Sequence, residues 1–252
     1  MAKQTAPTGF VIYDGPSLLT GEPIVCIATL HSDNRKTGDM LQTWILLRDR
    51  DPIAGSRSGA DRAICGDCPS RGIARPGAEK GLAADRACYV DLARAPLGIW
   101  NAWRRGRYPV AAGHTAIAAL GAGRKVRLGA YGDPAAIPGY VNESLISAAA
   151  GHTAYSHQAD WQGSGFDAAR MMVSADSLAG ARRAWESGAR TFRVIGAAAD
   201  LAAGEILCPA SEEAGKRTQC ERCLLCGGAS VKAKSIAIVV HGAGKRHHRA
   251  AA

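Results

Sequence analysis

The chain has 252 residues, of which 47% are hydrophobic and 21% are charged, a balance that excludes a disordered polypeptide and supports one sizeable core. No apolar run approaches the roughly 20 residues of a membrane span, and the first ten residues, MAKQTAPTGF, lack the apolar segment of a secretory signal, so we expect a cytoplasmic protein without a membrane partner. The 31 Lys and Arg residues outnumber the 22 Asp and Glu residues and give a net charge of +9, which suits a polyanionic partner such as a nucleic acid or nucleotide.

The first 40 residues are predicted to form an N-terminal elaboration of the main domain. They contain one strand-like segment, 24–30, and end in the polar sequence HSDNRKTGD. From residue 41 onward, short apolar segments alternate with polar clusters and Ala-rich segments, which is typical of strands, loops and helices in succession. Strands are predicted at 41–47, 126–130, 153–156, 171–174, 191–195, 205–208 and 236–240.

Helices are predicted between these strands at 98–105, 139–150, 177–187 and 197–203. Asp176 and Ser177 offer side-chain caps at the start of the third helix, and Gly188 ends it. Strands and helices that alternate in this way favour a parallel sheet. We therefore predict an α/β fold, a full or partial (β/α) barrel over residues 41–242 with Cys-rich metal-binding loops, followed by a flexible basic tail at 243–252. A doubly wound open sheet is the alternative architecture.

Polar residues follow several of the predicted strands. Asp133, His157 and Asp176 each stand just after a strand, where the loops of a barrel build its active site, so we predict catalytic roles for them. Each also has a structural interpretation, as a turn former, a satisfied imidazole or a helix N-cap, respectively.

Two arginines, Arg127 and Arg193, lie inside predicted strands. A charge that points inward from a strand is costly unless it meets a carboxylate or an anionic ligand. We therefore predict substrate or cofactor binding for both arginines, and for Tyr131 and Gly132 at the end of the strand that contains Arg127.

Seven of the eight cysteines fall into two groups. The first, Cys65, Cys68 and Cys88, lies in a connection of about 40 residues without evident secondary structure, an unusual length unless a metal orders it. Three thiolates describe a site with an open coordination position, as in catalytic zinc or a site-differentiated iron–sulfur cluster. The remaining cysteine, Cys26, stands alone in the apolar sequence PIVCIATL and is predicted to be a core residue.

The second group contains two successive Cys-x2-Cys steps, formed by Cys220, Cys223 and Cys226. Thiolates with this spacing in a reducing compartment indicate ligation of one metal centre. Cys208 would complete a closed four-sulfur site for structural zinc or a [4Fe–4S] cluster, whereas His241 in its place would give a Cys3His zinc site.

The segments HSDNRKTGDM, AICGDCPSRG, RLGAYGDPAAIP and CPASEEAGKRTQCERCLLC resemble an uncharacterised family of bacteriophage and prophage proteins over roughly residues 30–242. This resemblance implies the host cell cytoplasm as the location. More distantly, the chain is similar to radical S-adenosylmethionine enzymes, in which three cysteines hold a [4Fe–4S] cluster that binds the cofactor. That similarity implies a reactive cluster on Cys65, Cys68 and Cys88 and an auxiliary cluster on the four cysteines of the second group.

A third similarity is to the tRNA-guanine transglycosylase type of barrel, which has a zinc site of three cysteines and a later histidine. Here that set would be Cys220, Cys223, Cys226 and His241, with Asp133 or Asp176 as the nucleophile.

The function we predict is therefore that of an iron–sulfur enzyme performing radical or redox chemistry on a nucleic acid, nucleotide or similar anion, with iron–sulfur clusters and S-adenosylmethionine as cofactors. Two alternatives remain open. One is a zinc enzyme that exchanges a nucleic-acid base, and the other is a non-catalytic, zinc-stabilised module that binds nucleic acid or a host protein.

Overall fold

The computed structural model describes residues 6–158, 161–242 and 244–248. Parts of the predicted N-terminal elaboration and basic tail, residues 1–5, 243 and 249–252, lie outside the described residues. The described chain contains ten strands: β1 (Gly9–Pro16), β2 (Pro23–Thr29), β3 (Leu41–Leu47), β4 (Lys125–Tyr131), β5 (Gly151–Thr153), β6 (Tyr155–Ser156), β7 (Met172–Ala175), β8 (Thr191–Ile195), β9 (Glu205–Leu207) and β10 (Ser235–Val239).

Seven α-helices accompany the strands in this part of the chain: α1 (Pro52–Ser58), α2 (Arg62–Cys65), α3 (Ala95–Arg104), α4 (Gly113–Gly121), α5 (Gly139–Ile146), α6 (Leu178–Glu186) and α7 (Cys220–Cys223). Short 3-10 helices lie at Pro69–Arg71, Pro134–Ala136, Trp161–Ser164, Ala168–Arg170, Ala198–Asp200 and Lys245–His247. None of the helices in the described residues has the length and apolar character needed to cross a membrane.

The first sheet has the strand order β1-β2-β3-β4-β5. The pairs β1–β2 and β2–β3 are antiparallel, and the pairs β3–β4 and β4–β5 are parallel. Strand β3, LQTWILL, is buried along its whole length because it lies between two neighbours and under helices, which explains its continuous apolar sequence.

The second sheet has the order β6-β7-β8-β10-β9 and is parallel throughout. It meets the first sheet at Ala154, the single residue between β5 and β6. The carbonyl of Ala154 accepts a hydrogen bond from Met172 N (2.9 Å), and its amide donates to Cys226 O (3.1 Å). The predicted α/β fold with parallel strands is therefore confirmed, while closure into a full or partial barrel stays a prediction.

The predicted strands agree with the observed ones except at 153–156, where Thr153 belongs to β5 of the first sheet and Tyr155 and Ser156 form β6 of the second. The N-terminal strand β1 was not predicted. Two helix predictions need correction. The segment 197–203 contains only the 3-10 helix Ala198–Asp200. The N-cap of α6 is Ser177 rather than Asp176, because the Gly180 amide donates to Ser177 Oγ at 3.1 Å.

The prediction that the connection after β3 lacks regular secondary structure is wrong. Asp51 caps α1 by accepting hydrogen bonds from the amides of Ile53 (2.9 Å) and Ala54 (3.0 Å), as an N-cap carboxylate does. Helix α2 follows directly and ends at Cys65. Helices and caps, rather than a metal alone, therefore give this segment its order.

Candidate functional site

A cavity of about 440 Å³ lies between the two sheets and is lined by residues of both. Its walls include the residues at the carboxyl ends of β4, β7 and β9 and the alternating inward side chains of β8 and β10, as expected where parallel strands present their loops to one site. Seven of the eight cysteines line it: Cys65, Cys68, Cys88, Cys208, Cys220, Cys223 and Cys226. The eighth, Cys26, is fully buried in the core at β2, as predicted.

The first cysteine group is positioned by a tight turn after α2. The amide of Cys68 donates to Cys65 O at 3.2 Å, and the amide of Cys88 donates to Ser70 O at 3.0 Å. Gly66, between the first two cysteines, has a φ of +54°, and a Cβ there would stand 2.0 Å from the side chain of Gln158. Only glycine allows this turn and this approach.

Asp133 joins this group to the strands. Its Oδ1 accepts hydrogen bonds from Ser156 Oγ (2.8 Å) and the Ala135 amide (3.0 Å), and its Oδ2 accepts from the His157 amide (2.8 Å) and Gln158 Nε2 (3.3 Å). The same Gln158 amide group donates to Cys65 O at 3.0 Å. Four hydrogen bonds to one buried carboxylate make Asp133 a positioning residue in this structure.

His157 and Asp176, two further predicted catalytic residues, contact each other. His157 Nε2 lies 3.3 Å from Asp176 Oδ1 and 3.8 Å from Cys68 Sγ. Burial by itself lowers the pKa of His157, but the hydrogen bonds to Asp176 and Cys68 raise it well above its ordinary value. In a catalytic triad, the histidine contacts the nucleophile through one ring nitrogen and the orienting carboxylate through the other. Here Cys68 and Asp176 both contact Nε2 of His157, so the arrangement differs from a triad.

The second group is held by the polar loop that precedes β3. The amide of Cys220, at the start of α7, donates to Lys36 O (3.0 Å), and the amide of Glu221 donates to Thr37 O (2.9 Å). Glu221 Oε2 accepts a hydrogen bond from the Asp39 amide at 2.7 Å. Residues predicted as a peripheral loop therefore fix the position of the Cys-x2-Cys helix.

The cysteines of each group are electrostatic neighbours of one another. Burial raises the pKa of Cys226 to about 12, and Cys208, Cys220 and Cys223 add to that rise. Burial likewise raises the pKa of Cys65, and Cys68 and Cys88 contribute. Burial and the neighbouring cysteines therefore favour the protonated thiol at Cys65 and Cys226.

His241, the alternative fourth ligand, lies at the end of β10 and faces different groups. Its Nε2 stands 3.3 Å from Lys36 Nζ, and its ring stacks on Tyr89 with 5.6 Å between centroids. Burial lowers the pKa of His241, and the nearby ammonium of Lys36 lowers it further. Cys208 is an electrostatic neighbour of Cys220 and Cys226, and both Cys208 and His241 line the cavity.

The two predicted substrate-binding arginines have different surroundings. Arg193 binds the buried Glu205 through Nε (2.8 Å) and Nη2 (2.6 Å) and does not line the cavity. Arg127 lines the cavity, donates from Nη2 to Tyr89 Oη at 2.5 Å, and has no carboxylate within ion-pairing distance among the described residues. Of the two arginines, only Arg127 is therefore placed to bind a ligand in the cavity.

Tyr131 and Gly132 both line the cavity at the end of β4. Burial raises the pKa of Tyr131 well above its ordinary value, and its hydroxyl has no hydrogen-bond partner among the described residues. Gly132 has a φ of +83°, and a Cβ there would lie 2.6 Å from Ile45 Cβ, so its role is to let the chain turn against β3.

Lys36, Tyr89 and Thr153 are among the cavity residues that were not predicted from the sequence. Tyr89 directly follows Cys88, which is the one local signal that points to it. Lys36 and Thr153 carry no such signal, because their approach to the cavity depends on the packing of the polar loop and on the pairing of β4 with β5.

No family model, curated protein or solved structure matches this chain, so its function has to be inferred from the cavity itself. Across residues 6–158, 161–242 and 244–248, no three His, Cys, Asp or Glu side chains stand in an arrangement that would already hold a metal ion.

Proposed function

We propose that the cavity is the active site of an enzyme with two thiolate-bound metal centres, iron–sulfur clusters, that performs radical or redox chemistry on an anionic substrate. The observation that carries this proposal is the convergence of seven cysteines, from three distant parts of the chain, on one cavity. Thiols so concentrated in a protein expected in a reducing compartment have few purposes other than metal or redox chemistry.

The donor set fits such centres in its chemistry and grouping. Cys65, Cys68 and Cys88 supply three soft ligands and leave one coordination position open, and the second group supplies four. Because no three donors are already arranged around a metal ion in the described residues, the proposal requires the thiol side chains to converge and lose their protons when the metal enters. Five of the seven thiols, those of Cys65, Cys68, Cys88, Cys220 and Cys223, are only partly buried.

When bound, a site-differentiated iron–sulfur cluster supplies single-electron transfer and an open iron position for a cofactor such as S-adenosylmethionine. The chain's own residues perform the remaining tasks. Asp133 fixes the turn that carries the first group, His157 contacts both Cys68 and Asp176, and Arg127 attracts anions to the cavity. Zinc-dependent base exchange is less well supported for both candidate nucleophiles. Four hydrogen bonds occupy the carboxylate of Asp133, and Asp176 does not line the cavity.

The first test is the metal content of protein purified without oxygen, with three single variants alongside. We expect broad absorption at about 400 nm and about eight irons per chain, the content of two [4Fe–4S] clusters. Cys68→Ala and Cys223→Ala should each lose about half of the iron, because each removes one ligand from one group. Cys26→Ala is the matched control, since its thiol lies in the core away from the cavity, and it should keep all of the iron.

Iron-loaded protein would next be tested for S-adenosylmethionine cleavage under reducing conditions. Colourless wild-type protein with one or two zinc ions would overturn the iron–sulfur proposal and favour the zinc alternatives. Equal iron in Cys26→Ala, Cys68→Ala and Cys223→Ala would show that the two cysteine groups are not the ligands.

A further inference from the structure

Several buried polar atoms in the cavity wall lack a hydrogen-bond partner. Among the described residues, the buried side-chain atoms without a partner include Arg127 Nε, Tyr131 Oη, Thr153 Oγ1 and His248 Nε2, and all four residues line the cavity. A buried polar group without a partner costs free energy. Since all four residues line the same cavity, a polar ligand bound there would satisfy them.

Arg127 and Thr153 form the centre of this group. They are directly paired across the parallel strands β4 and β5, and side chains at paired positions project to the same face of a sheet. Thr153 is only 2% exposed. Two unused donors, a guanidinium Nε–H and a hydroxyl, are therefore side by side.

No carboxylate among the described residues pairs with the positive charge at this position. The two carboxylates in the cavity wall are already engaged, Asp61 by Arg71 at 2.7 Å and Asp133 by its four hydrogen bonds. Lys36 and Arg86 add further cations to the same cavity, whereas Arg71 is paired with Asp61. By contrast, the other arginine within the parallel strands, Arg193, has its carboxylate in Glu205.

We propose that Arg127 and Thr153 form an oxyanion site that binds the carboxylate or phosphate group of a small substrate. The guanidinium Nε–H and the Thr153 hydroxyl donate to two oxygens of the same group, and Tyr89 holds the outer end of the guanidinium through Nη2. A cavity of about 440 Å³ lies within the range of small-molecule sites. This inference names the substrate class of the active site proposed above and rests on that proposal for its reaction.

The sharpest test is Thr153→Val, which removes only the hydroxyl and keeps the shape of the side chain. Because that hydroxyl has no partner, its loss should leave the urea midpoint unchanged or raise it. The affinity of anaerobically purified, metal-loaded protein for the oxyanion, measured by calorimetry with inorganic phosphate and separately with acetate, should fall by about threefold to tenfold. If Thr153 had only a structural role, Thr153→Val would not lower the affinity while leaving the urea midpoint unchanged or higher.

Arg127 is tested by two substitutions, Arg127→Gln and Arg127→Lys, with Arg48→Gln as the matched control. Arg48 is half exposed and pairs with Asp14, away from the cavity. We expect the loss of Arg127 to weaken oxyanion binding by about tenfold or more, the effect of removing a charge-assisted partner, and Arg48→Gln to have no effect. If Arg127→Gln does not fold, the affinities of Arg127→Lys and Thr153→Val still test whether this site binds the oxyanion.

The two probes distinguish the two sources of the oxyanion. Binding of phosphate alone assigns a phosphate ester, and binding of acetate alone assigns a carboxylic acid. The inference is overturned if neither anion binds, if both bind equally well to wild type and variants, or if Arg127→Gln lowers the iron content rather than the affinity. Metal analysis of the same samples separates failure of the oxyanion site from failure of the proposed function. Protein that contains no metal but still binds anions through Arg127 would support the oxyanion site and contradict the metal clusters.

Discussion

The two sheets are stabilised in different ways. The core of the first sheet is large and apolar, with fully buried side chains such as Ile24, Ile45 and Leu128. The core of the second sheet contains few buried residues, and two of these are cysteines of the candidate site, Cys208 and Cys226. The first sheet can therefore fold by burial of apolar surface, whereas the second depends on polar contacts and on its cysteines.

The polar contacts of the second sheet are correspondingly strong. Arg193 and Glu205 are paired across the intervening strand β10, and both are buried. Arg190 donates to three backbone carbonyls, those of Leu225 (2.6 Å), Gly228 (2.9 Å) and Lys234 (2.5 Å), and so fixes the loop after α7. Guanidinium and carboxylate groups, which usually lie at protein surfaces, stabilise the second sheet from within. The sheet is therefore stable although it borders a cavity that contains many thiols and charges.

The largest effect is expected from Glu205→Gln. It leaves the buried guanidinium of Arg193 without its charge partner, and removal of one member of a buried ion pair costs about 3–5 kcal/mol. The matched control is Glu143→Gln, because Glu143 pairs with Arg170 on partly exposed side chains, for which about 1 kcal/mol or less is expected. Urea unfolding measures both values.

Hydrogen exchange followed by mass spectrometry then locates the effect. Glu205→Gln should accelerate exchange in β8, β9 and β10 while the amides of β2 and β3 remain protected, because the first sheet has its own core. Equal acceleration in both sheets would contradict the proposed difference between them.

A smaller effect is expected from Asp133→Asn, just after β4 of the first sheet. The carboxylate of Asp133 accepts hydrogen bonds from Ser156 and His157. The NH2 group of asparagine is itself a donor and would face one of these donors, which lowers the free energy of unfolding by about 1–3 kcal/mol. Because Asp133 positions the turn of the first cysteine group, iron bound there should decrease while iron bound by the second group persists. The iron content, compared with that of Cys68→Ala, measures this selectivity, and an equal loss from both groups would refute it.

The smallest effect concerns Asp39, in the polar loop that holds α7. A hydrogen bond with His31 and another from the Ser32 amide hold the pKa of Asp39 below its ordinary value. A carboxyl whose pKa is lower in the folded state contributes stability above its unfolded pKa, and this contribution is lost as the pH falls through the folded value. Since both side chains are largely exposed, we expect about 0.5 kcal/mol or less.

Urea midpoints of wild type and Asp39→Asn at pH 5 and pH 3 test this point. The two proteins should differ at pH 5 and become more similar at pH 3. A difference that grows with acid would show that the sign of the Asp39 contribution is wrong.

Local patterns in the sequence determined most of the fold. The strands β3 and β8 were predicted with the bounds that the structure gives them, because apolar β-branched runs are favourable only in extended, buried backbone. Helix α6 was predicted for a similar local reason, although its cap proved to be Ser177 rather than the adjacent Asp176. A side chain caps a helix only if its oxygen reaches the first backbone amides of that helix. Which of two adjacent polar residues does so depends on the backbone conformation, which the sequence does not give.

The sequence also indicated the residues for which chemical roles are predicted. The spacing of Cys220, Cys223 and Cys226 separated them from the core residue Cys26, and the position of Arg127 and Arg193 inside strands implied that each needs an anionic partner. These conclusions depend on residue type and on neighbours in the chain, which the sequence contains in full.

Only the tertiary structure decided which of these residues meet. It brought both cysteine groups to one cavity, paired Arg193 with Glu205, and left Arg127 beside Thr153 without a carboxylate. These outcomes depend on the order of the strands and on the junction of the two sheets at Ala154. Strand order is set by contacts between residues far apart in the chain, and no local periodicity records it.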